Sequence, residues 1–507
     1  MIERLRKVAL WIDDRVYLSK IFAATAGHTV PRTSGSWFYV FGSGTLLCFM
    51  IQIVTGICLA LVYVPSAGQA YTSLEYLNYQ QQLGWFLRAM HNWGSNFMVA
   101  IMLAHLIQVF LFGAFKYPRE LTWISGVVLL LCTLGMAFTG QVLRFDQDAY
   151  WGLGIGAAMA GRVPLMGPAI VHMMLGGPII AGETLSRFFT LHVFVIPGSI
   201  LAIVSLHLRL VLSKGINEYP VPGKLVKKET YAEEYEAELK KSGVPFFPKA
   251  ISKDLIFSGL VLLAIVFCAA YFGPEGPRGI PDPTQINTAP KPDFFFLWLY
   301  GVLSLMPDYM ETVVMLTAPF VVIAILFAVP FISNTGEKSP RRRPVAVLSV
   351  LLILIVLGAF NYLGTYAPWS PKMEAWTSAA TPTNYLEGRS PLERQGALVF
   401  HNKQCINCHS VGGEGGLRGP ALDSVATRLT GDQLVRQVIQ GSGNMPAYGK
   451  NLSPPEVAAV AAFMRTLHQP TEAPARDTTQ PDERAKQDQS TVQTGLARNG
   501  GDIRSSP

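Results

Sequence analysis

Residues 88–107 read RAMHNWGSNFMVAIMLAHLI, an apolar stretch that carries two histidines, His91 and His105. A second apolar stretch carries His192 and His207, and the two spacings are 14 and 15 residues. In a helix these intervals span roughly 21–22 Å, most of the apolar thickness of a bilayer, and return each pair to roughly one face. Two such helices side by side would offer two bis-histidine sites stacked across a membrane. Because imidazole is a usual axial ligand of haem iron, the pattern predicts two b-type haems.

Glycines at the same spacing support this interpretation. Gly42 and Gly56 are 14 residues apart on one apolar segment, and Gly126 and Gly140 are 14 apart on another. A single histidine here could be a hydrogen-bonded core residue, and a single glycine could serve helix packing. Glycine destabilises a helix but lets a bulky group come close. Two glycine pairs that repeat the histidine spacing predict two flat macrocycles inside a four-helix bundle.

The composition indicates a membrane protein. Half of the 507 residues are hydrophobic and 15% are charged. Seven apolar runs are long enough to span a bilayer, at about 38–64, 93–114, 122–142, 190–213, 253–273, 312–333 and 345–366. The N-terminal residues 1–15 are typical of an amphipathic surface helix rather than of a cleavable signal.

The basic residues predict the orientation of the chain. They cluster in alternate loops, at residues 4–7, 116–119, 214–253 and 338–343, which is the positive-inside pattern. The net charge of +7 therefore does not require nucleic acid as a partner. We expect a bacterial cytoplasmic membrane, a cytoplasmic N-terminus and, after seven spans, an outer location for everything beyond about residue 366.

A C-x-x-C-H motif, Cys405-Ile406-Asn407-Cys408-His409, is the signature of covalent haem c attachment. The cysteines would form thioethers to the haem and His409 would bind the iron. A redox dithiol or half of a zinc site are the alternatives, but the chain has no second cysteine pair. The segment resembles class I cytochrome c domains, which implies that Met445, 36 residues after His409, is the second axial ligand. The other candidate, Met464, lies on an apolar helical face that is typical of a core.

The residues around the four histidines resemble the cytochrome b of Rieske/cytochrome b complexes over about 20–366, and most closely the chloroplast-type form. The matching motifs are residues 88–93, 115–123 and 186–192, with the 15-residue interval to His207. The resemblance implies an all-α fold, a bundle of about seven transmembrane helices whose first four bind two haems, followed by a small all-α cytochrome c domain. We expect a di-haem domain at 1–215, a three-span domain at 216–366, a linker at 367–390, the cytochrome c domain at 391–468 and a disordered tail at 469–507.

The resemblance also assigns haem contacts. It pairs His91 with His192 at an outer haem and His105 with His207 at an inner haem. It further implies that Arg88 binds a propionate of the outer haem and Arg119 one of the inner haem. An interface residue or a membrane anchor is the alternative for these arginines.

The segment Lys291-Pro292-Asp293-Phe294-Phe295 resembles the Pro-Glu-Trp-Tyr motif of the outer quinol-oxidising pocket. The resemblance implies that the Asp293 carboxylate accepts a quinol proton, and an apolar site should raise its pKa. A loop carboxylate at an interface is the alternative. The chain departs from the family, because Asp293 replaces glutamate, Phe295 replaces tyrosine, and Leu143-Arg144-Phe145 stands where the family has Pro-Trp.

Two further positions concern the inner side. Asp254 resembles a family proton donor at the inner quinone site, although a helix-capping residue is an equally good interpretation. Val40 aligns with the cysteine through which chloroplast-type proteins bind an extra haem. We therefore expect no covalent third haem in the membrane.

The resemblance implies an electron-transfer subunit of a quinol:cytochrome c oxidoreductase, with bifurcated quinol oxidation coupled to proton translocation and a fused haem c as electron exit. The expected cofactors are two non-covalent haems b and one covalent haem c, with quinol as substrate. We expect as partners a Rieske iron–sulfur protein, the quinone pool, a c-type cytochrome acceptor, membrane lipid and a second copy of the complex, and no nucleic acid. The alternative is a di-haem membrane anchor that passes quinol electrons linearly to the cytochrome c domain.

Overall fold

The computed structural model describes residues 1–468 except 18, 21–22, 24–26, 177–179, 282–289, 367–381, 404, 416–418, 442–444, 446–447 and 450–451. The chain divides into two compact units, Met1–Trp376 with Gln440–Asn451, and Thr377–Ile439 with Leu452–Pro507. The predicted tail at 469–507 and most of the predicted linker at 367–390 lie outside the described residues. The domain boundaries given above stay predictions.

The first unit is a bundle of α-helices. Its helices are α1 Ile2–Val16, α2 Phe41–Ala60, α3 Ala70–Tyr79, α4 Gly84–Leu111, α5 Glu120–Leu143, α6 Gln147–Gly161, α7 Gly167–Leu175, α8 Gly182–Lys214, α9 Tyr231–Ser242, α10 Ile251–Phe272, α11 Phe294–Leu305, α12 Asp308–Ile332 and α13 Pro344–Tyr366. Among the described residues, seven helices are long and apolar enough to cross a membrane, and they lie at the seven predicted spans. The predicted all-α, multi-pass membrane fold is confirmed.

Helices α2, α4, α5 and α8 carry the histidines and glycines discussed above. Helix α2 packs along α4, and α5 packs along α8, while α10 packs against α2 and α4. Cys48, Ala89 and Ile265 are fully buried in this core. Gly215 and Gly273 have positive φ and end α8 and α10, because glycine adopts this conformation without a Cβ penalty. The packing directs the glycine-bearing helices toward the histidine-bearing ones.

Helices outside this core expose large apolar side chains. On α13, Leu352 is 62% exposed and Ile355 is 67% exposed. Such a surface would be an aggregation hazard in water, whereas in a bilayer it is the surface that contacts the acyl chains. The exposure agrees with membrane lipid as the surroundings of this unit.

Residues 215–250 connect the first four spanning helices to the last three. Two short antiparallel ladders fix this segment to distant parts of the chain: β1 Thr29–Pro31 with β3 Gly243–Pro245, and β2 Leu225–Val226 with β4 Gly336–Glu337. A buried ion pair adds to them, since Lys338 Nζ lies 2.9 Å from Glu218 Oε1. The connection is therefore an ordered part of the unit.

The second unit is a small helical domain. Its described α-helices are α14 Pro391–Asn402, α15 Val425–Arg428, α16 Gly431–Gln440, whose last residue the division assigns to the first unit, and α17 Pro454–Met464. A hairpin of β5 Ser410–Val411 and β6 Glu414–Gly415 lies among them. Helices α14 and α17 cross in backbone contact, because a Cβ at Gly396 would overlap the carbonyl group of Ala459. The rings of Phe400 and Phe463 pack at this crossing, 5.6 Å apart. Met464 is buried beside them, as its helical face predicted.

Candidate haem and quinol sites

The structure brings His91 of α4 and His192 of α8 together. Their ring centroids are 6.3 Å apart and the ring planes are inclined by 74°. Imidazole–metal bonds are about 2 Å long, so this separation accommodates one metal ion between the two rings. We call His91 and His192 the outer pair. His105 and His207, the inner pair, also lie close enough to interact electrostatically.

Each of the four predicted glycines lies against one of the four histidine rings. A Cβ added at the glycine would approach the ring atom Cε1 to 3.2 Å for Gly56 and His91, 3.4 Å for Gly42 and His105, 2.7 Å for Gly140 and His192, and 3.5 Å for Gly126 and His207. Cβ atoms in proteins essentially never come as close to another heavy atom as the 2.7 Å found at Gly140. The glycine–histidine pattern read from the sequence is thus a set of four spatial contacts.

Helix α8 departs from regular α-geometry at its first histidine. Residues Leu191–Val195 form a π-helical turn that contains His192. Pro197 follows and has no backbone N–H to donate to the preceding turn. Single π-turns occur frequently at functional sites, and this one contains a predicted haem ligand.

Three hydroxyl side chains contact the imidazoles, and sequence reasoning missed them. The hydroxyl oxygen lies 2.8 Å from Nδ1 for Thr55 and His91, 2.9 Å for Ser125 and His207, and 3.0 Å for Thr139 and His192. Each hydroxyl donates to a backbone carbonyl one turn earlier in its own helix. The ring Nδ1 must therefore be the donor, which leaves Nε2 to bind a metal. The sequence does carry a signal for these hydroxyls, because each belongs to the residue directly before Gly56, Gly126 or Gly140.

His105 is different from the other three histidines. Phe41 precedes Gly42, and its ring packs edge-on against Phe257 with centroids 5.7 Å apart. Among the described residues, Nδ1 of His105 is buried without a hydrogen-bond partner. The outer pair is thus held by two hydroxyls and the inner pair by one. Both pairs have the ligand chemistry and the flanking glycines that a haem b requires.

Arg88 and Arg119, the predicted propionate partners, are both buried. Arg88 donates to the backbone carbonyls of Glu275 and Gly276. Arg119 donates to Tyr231 Oη at 2.6 Å and to two backbone carbonyls at the end of α8. Their roles toward haem stay predictions.

Asp293 directly precedes α11, yet its carboxylate does not accept the capping hydrogen bond that aspartate usually accepts there. Phe296 packs edge-on against Phe138 of α5 with centroids 6.4 Å apart, so the segment borders α5. Burial raises the pKa of the Asp293 carboxyl to about 6, the Arg144 guanidinium opposes the rise, and the Glu275 carboxylate adds to it. A carboxyl with such a pKa can take up and release a proton near neutral pH.

Asp254 lies in the first turn of α10, whereas Ala250 occupies the capping position. Asp254 is therefore not the N-terminal capping residue of α10. Oδ1 of Asp254 accepts a hydrogen bond from Ser43 Oγ at 2.6 Å. Because Ser43 follows Gly42, this carboxylate lies at the end of the bundle that carries the inner pair. Val40 is buried directly before α2.

In the second unit, His409 Nδ1 lies 2.8 Å from the carbonyl oxygen of Pro420. A carbonyl only accepts, so Nδ1 is protonated and Nε2 is the nitrogen left for iron. Gly419 lies on the same ring, where a Cβ would come within 2.5 Å of Cε1. Cys405 begins the short 3₁₀ turn Cys405–Asn407, and Cys408 follows it directly. These residues fit a covalent haem c.

Met445 lies in the stretch Gln440–Asn451, which the division of the chain places in the first unit. Residues 442–444 and 446–447 on either side of it lie outside the described residues. Its assignment as the second axial ligand of the haem c stays a prediction.

Three family models match the chain. The model described as cytochrome b/b6/petB matches residues 27–215, and that of cytochrome b(C-terminal)/b6/petD matches residues 281–384. The model of cytochrome C oxidase, cbb3-type, subunit III matches residues 391–464. The order of the matches agrees with a cytochrome b in two parts followed by a cytochrome c domain.

Individual proteins give the same result. The cytochrome b6 of Heliobacterium modesticaldum (strain ATCC 51547 / Ice1) is 37% identical over 209 residues, which are 41% of this chain and 98% of that protein. The cytochrome b6 of Synechococcus elongatus is 36% identical over 213 residues, 42% of this chain and 99% of that protein. A solved structure described as "Hyperthermophilic respiratory Complex III" has 27% identity and a TM-score of 0.57, and covers 71% of this chain and 91% of that chain. The resemblance read from the motifs is confirmed.

Proposed function

This chain belongs to the cytochrome b family, and we propose that it is the membrane electron-transfer subunit of a quinol:cytochrome c oxidoreductase. One observation carries the proposal: two imidazole pairs lie in one helical bundle, and each ring lies against a glycine. A Cβ added at any of these glycines would contact the ring. The family relationship supports haem b as the group between the rings.

Bound at these pairs, two haems b would relay electrons across the bilayer, and a haem c on Cys405 and Cys408 would carry electrons out of the chain. The protein's own contribution is to position the ligands. Hydroxyls hold the Nδ1 atoms of three membrane histidines, and a carbonyl holds that of His409. Met445 would complete the iron site of the cytochrome c domain and raise its potential. Arg88 and Arg119 would neutralise propionates.

We assign quinol oxidation to the pocket beside Asp293. The quinol would lose two electrons and two protons: one electron and one proton would pass to a Rieske partner, while the second electron would pass to the membrane bundle and the second proton to this carboxylate. Moving that electron between the two faces stores about 2.3 kcal/mol per 100 mV of membrane potential. Asp254, at the other end of the bundle, would supply a proton for quinone reduction.

The basic loops support a location for the chain, and the family relationship supports a set of partners. The chain would lie in a bacterial cytoplasmic membrane with its N-terminus in the cytoplasm and the cytochrome c domain outside, as the basic loops favour. The expected partners are the Rieske protein, the quinone pool, a c-type cytochrome acceptor and a second copy in a homodimeric complex. The sequence contains no Rieske-type pair of Cys–His loops, so that centre would come from another chain.

A second function has a specific observation in its favour. The segment assigned to quinol oxidation has Asp293 and Phe295 in place of glutamate and tyrosine, and the Arg144 guanidinium acts electrostatically on Asp293. A pocket altered in this way suits a di-haem anchor that passes both quinol electrons to the cytochrome c domain without bifurcation.

Purification of the complex from native membranes tests the proposal. We expect a Rieske protein to co-purify and its removal to abolish quinol:cytochrome c reduction. A pyridine haemochrome assay before and after acid–acetone extraction should find two extractable haems b for each retained haem c. Turnover without the Rieske protein would favour the linear anchor, and another haem ratio would contradict the cofactor assignment.

A further inference from the structure

A cluster of charged residues lies between the end of α5 and the segment that follows α10. Arg144 Nη2 is 3.2 Å from Asp146 Oδ2, and Arg144 Nη1 is 3.9 Å from Glu275 Oε1. Arg278 Nη2 lies 3.0 Å from the same Glu275 oxygen. The side chain of Asp146 is completely buried and that of Arg144 is 12% exposed. The Arg144 guanidinium is therefore fixed by carboxylates and largely excluded from solvent.

This cluster acts electrostatically on Asp293, the residue to which we assign quinol oxidation. Phe138 of α5 lies six residues before Arg144, which directly follows that helix, and it packs against Phe296, three residues after Asp293. Among the charges that act on Asp293, Arg144 is the strongest, followed by Glu275, Asp146 and Arg278. Arg144 in turn interacts with Asp293.

The backbone around the cluster is held in place. Arg88 donates to the carbonyls of Glu275 and Gly276. Asp146 accepts hydrogen bonds from the backbone N–H groups of Ala149 and Arg278, both at 2.9 Å. The backbone that follows Arg144 and Glu275 is thus held by side-chain hydrogen bonds. Among the described residues, Nε of Arg144 is buried without a partner, so the guanidinium retains an unused donor.

We infer that Arg144 is a positioning residue for proton transfer in the outer quinol pocket, and that its guanidinium sets the pH range in which Asp293 accepts a proton. The inference deepens the proposed function and rests on it for the source of that proton. In the step concerned, a quinol O–H bond breaks and the proton passes to a carboxylate oxygen of Asp293. Only the ionised carboxylate can accept it, and a nearby cation favours the ionised form.

The charges around Asp293 predict shifts of opposite sign. Removal of the cation in R144Q should move the protonation midpoint of Asp293 up by about one pH unit, whereas R144K should keep it in place. Removal of a neighbouring anion in E275Q should move the midpoint down. In R144Q, the buried Asp146 carboxylate still accepts hydrogen bonds from two backbone N–H groups. Because Glu275 is 37% exposed, E275Q should assemble, and it tests the inference even where R144Q assembles poorly. E236Q removes the same charge as E275Q from an exposed helix and serves as the control.

The measurement is an infrared pH titration of the carboxyl C=O band in the purified complex, with the Asp293 band identified by its loss in D293N. The pH profile of quinol oxidation is recorded in parallel. An unchanged Asp293 midpoint in R144Q, or an upward shift in E275Q, would overturn the inference. The infrared titration needs no turnover. A complex that oxidises no quinol but shows both shifts would therefore contradict the proposed function and leave the electrostatic role of Arg144 supported.

Discussion

Gly140 lies so close to His192 that a Cβ on the glycine would come within 2.7 Å of the imidazole Cε1. We predict that Gly140→Ala displaces this ring and lowers the content of the outer haem b by more than half, because the contact is sterically forbidden. Gly126→Ala should be tolerated better, since its Cβ would lie 3.5 Å from His207. Reduced-minus-oxidised spectra of the membranes measure the haem content. The control is Gly198→Ala, where nothing lies within 4 Å. Equal haem loss in all three variants would show that the glycine–histidine contact is not the cause.

The hydroxyl of Thr139 gives the second prediction. Thr139→Val keeps the side-chain shape but removes the acceptor for His192 Nδ1–H. Loss of such a support typically lowers metal affinity roughly 10–100-fold and makes the imidazole a weaker donor, so we expect weaker haem retention and a higher midpoint potential of the outer haem. Spectroelectrochemical titration measures the potential. Thr133→Val is the matched control, because Thr133 is buried on the same helix and its hydroxyl has no partner among the described residues. A potential that moves equally in both variants would contradict the role of Thr139.

The raised pKa of Asp293 gives a pH dependence with a definite sign. Burial raises this pKa to about 6, so the carboxylate is ionised above that pH and protonated below it. Quinol oxidation should therefore fall as the pH decreases through about 6. D293N should lose most of the activity at every pH, because an amide cannot accept the proton. Initial rates between pH 5 and pH 8 test this, and a D293N enzyme with wild-type rates would remove Asp293 from the mechanism.

The buried ion pair of the connecting segment predicts a stability effect. Burial alone would raise the pKa of Glu218, but the Lys338 ammonium outweighs it and holds the pKa at about 2. Lys338→Met would leave a buried carboxylate without its cation, which typically costs about 3–5 kcal/mol. We expect a clear decrease in Tm of the detergent-solubilised protein. Lys240→Met, which removes an exposed partner of Glu236, should change Tm little. The double variant E218Q/K338M should recover part of the loss, and no recovery would contradict the pair as its origin.

The sequence predicts those parts of the site that depend on helical periodicity. The intervals between His91 and His105 and between Gly42 and Gly56 define faces of helices, and apolar length defines the spans. The hydroxyl of Thr139 could not be assigned to His192 in this way, because their contact depends on the rotation of one helix against another. Lys338 and Glu218 likewise meet only through tertiary packing.

The charges that act on Asp293 could not be predicted from the sequence for the same reason. Arg144 is visible in the sequence only as a departure from a motif, and its relation to Asp293 follows from the packing of α5 against a distant segment. The unpartnered Nδ1 of His105 has a signal in the sequence, since Phe41 stands before Gly42 where the other three glycines follow a hydroxyl residue, but the contact that gives the signal its meaning is seen only in the structure.

Whether the two electrons of quinol separate is the central question, and oxidant-induced reduction tests it most directly. The purified complex with excess quinol and a blocked inner quinone site is mixed with an oxidant of the haem c, and the b and c haem bands are followed by stopped-flow spectroscopy. If the pocket splits the electrons, oxidation of the haem c will cause a transient increase in reduced haem b. Simultaneous oxidation of the b and c haems, with no such increase, would contradict bifurcation and favour linear transfer.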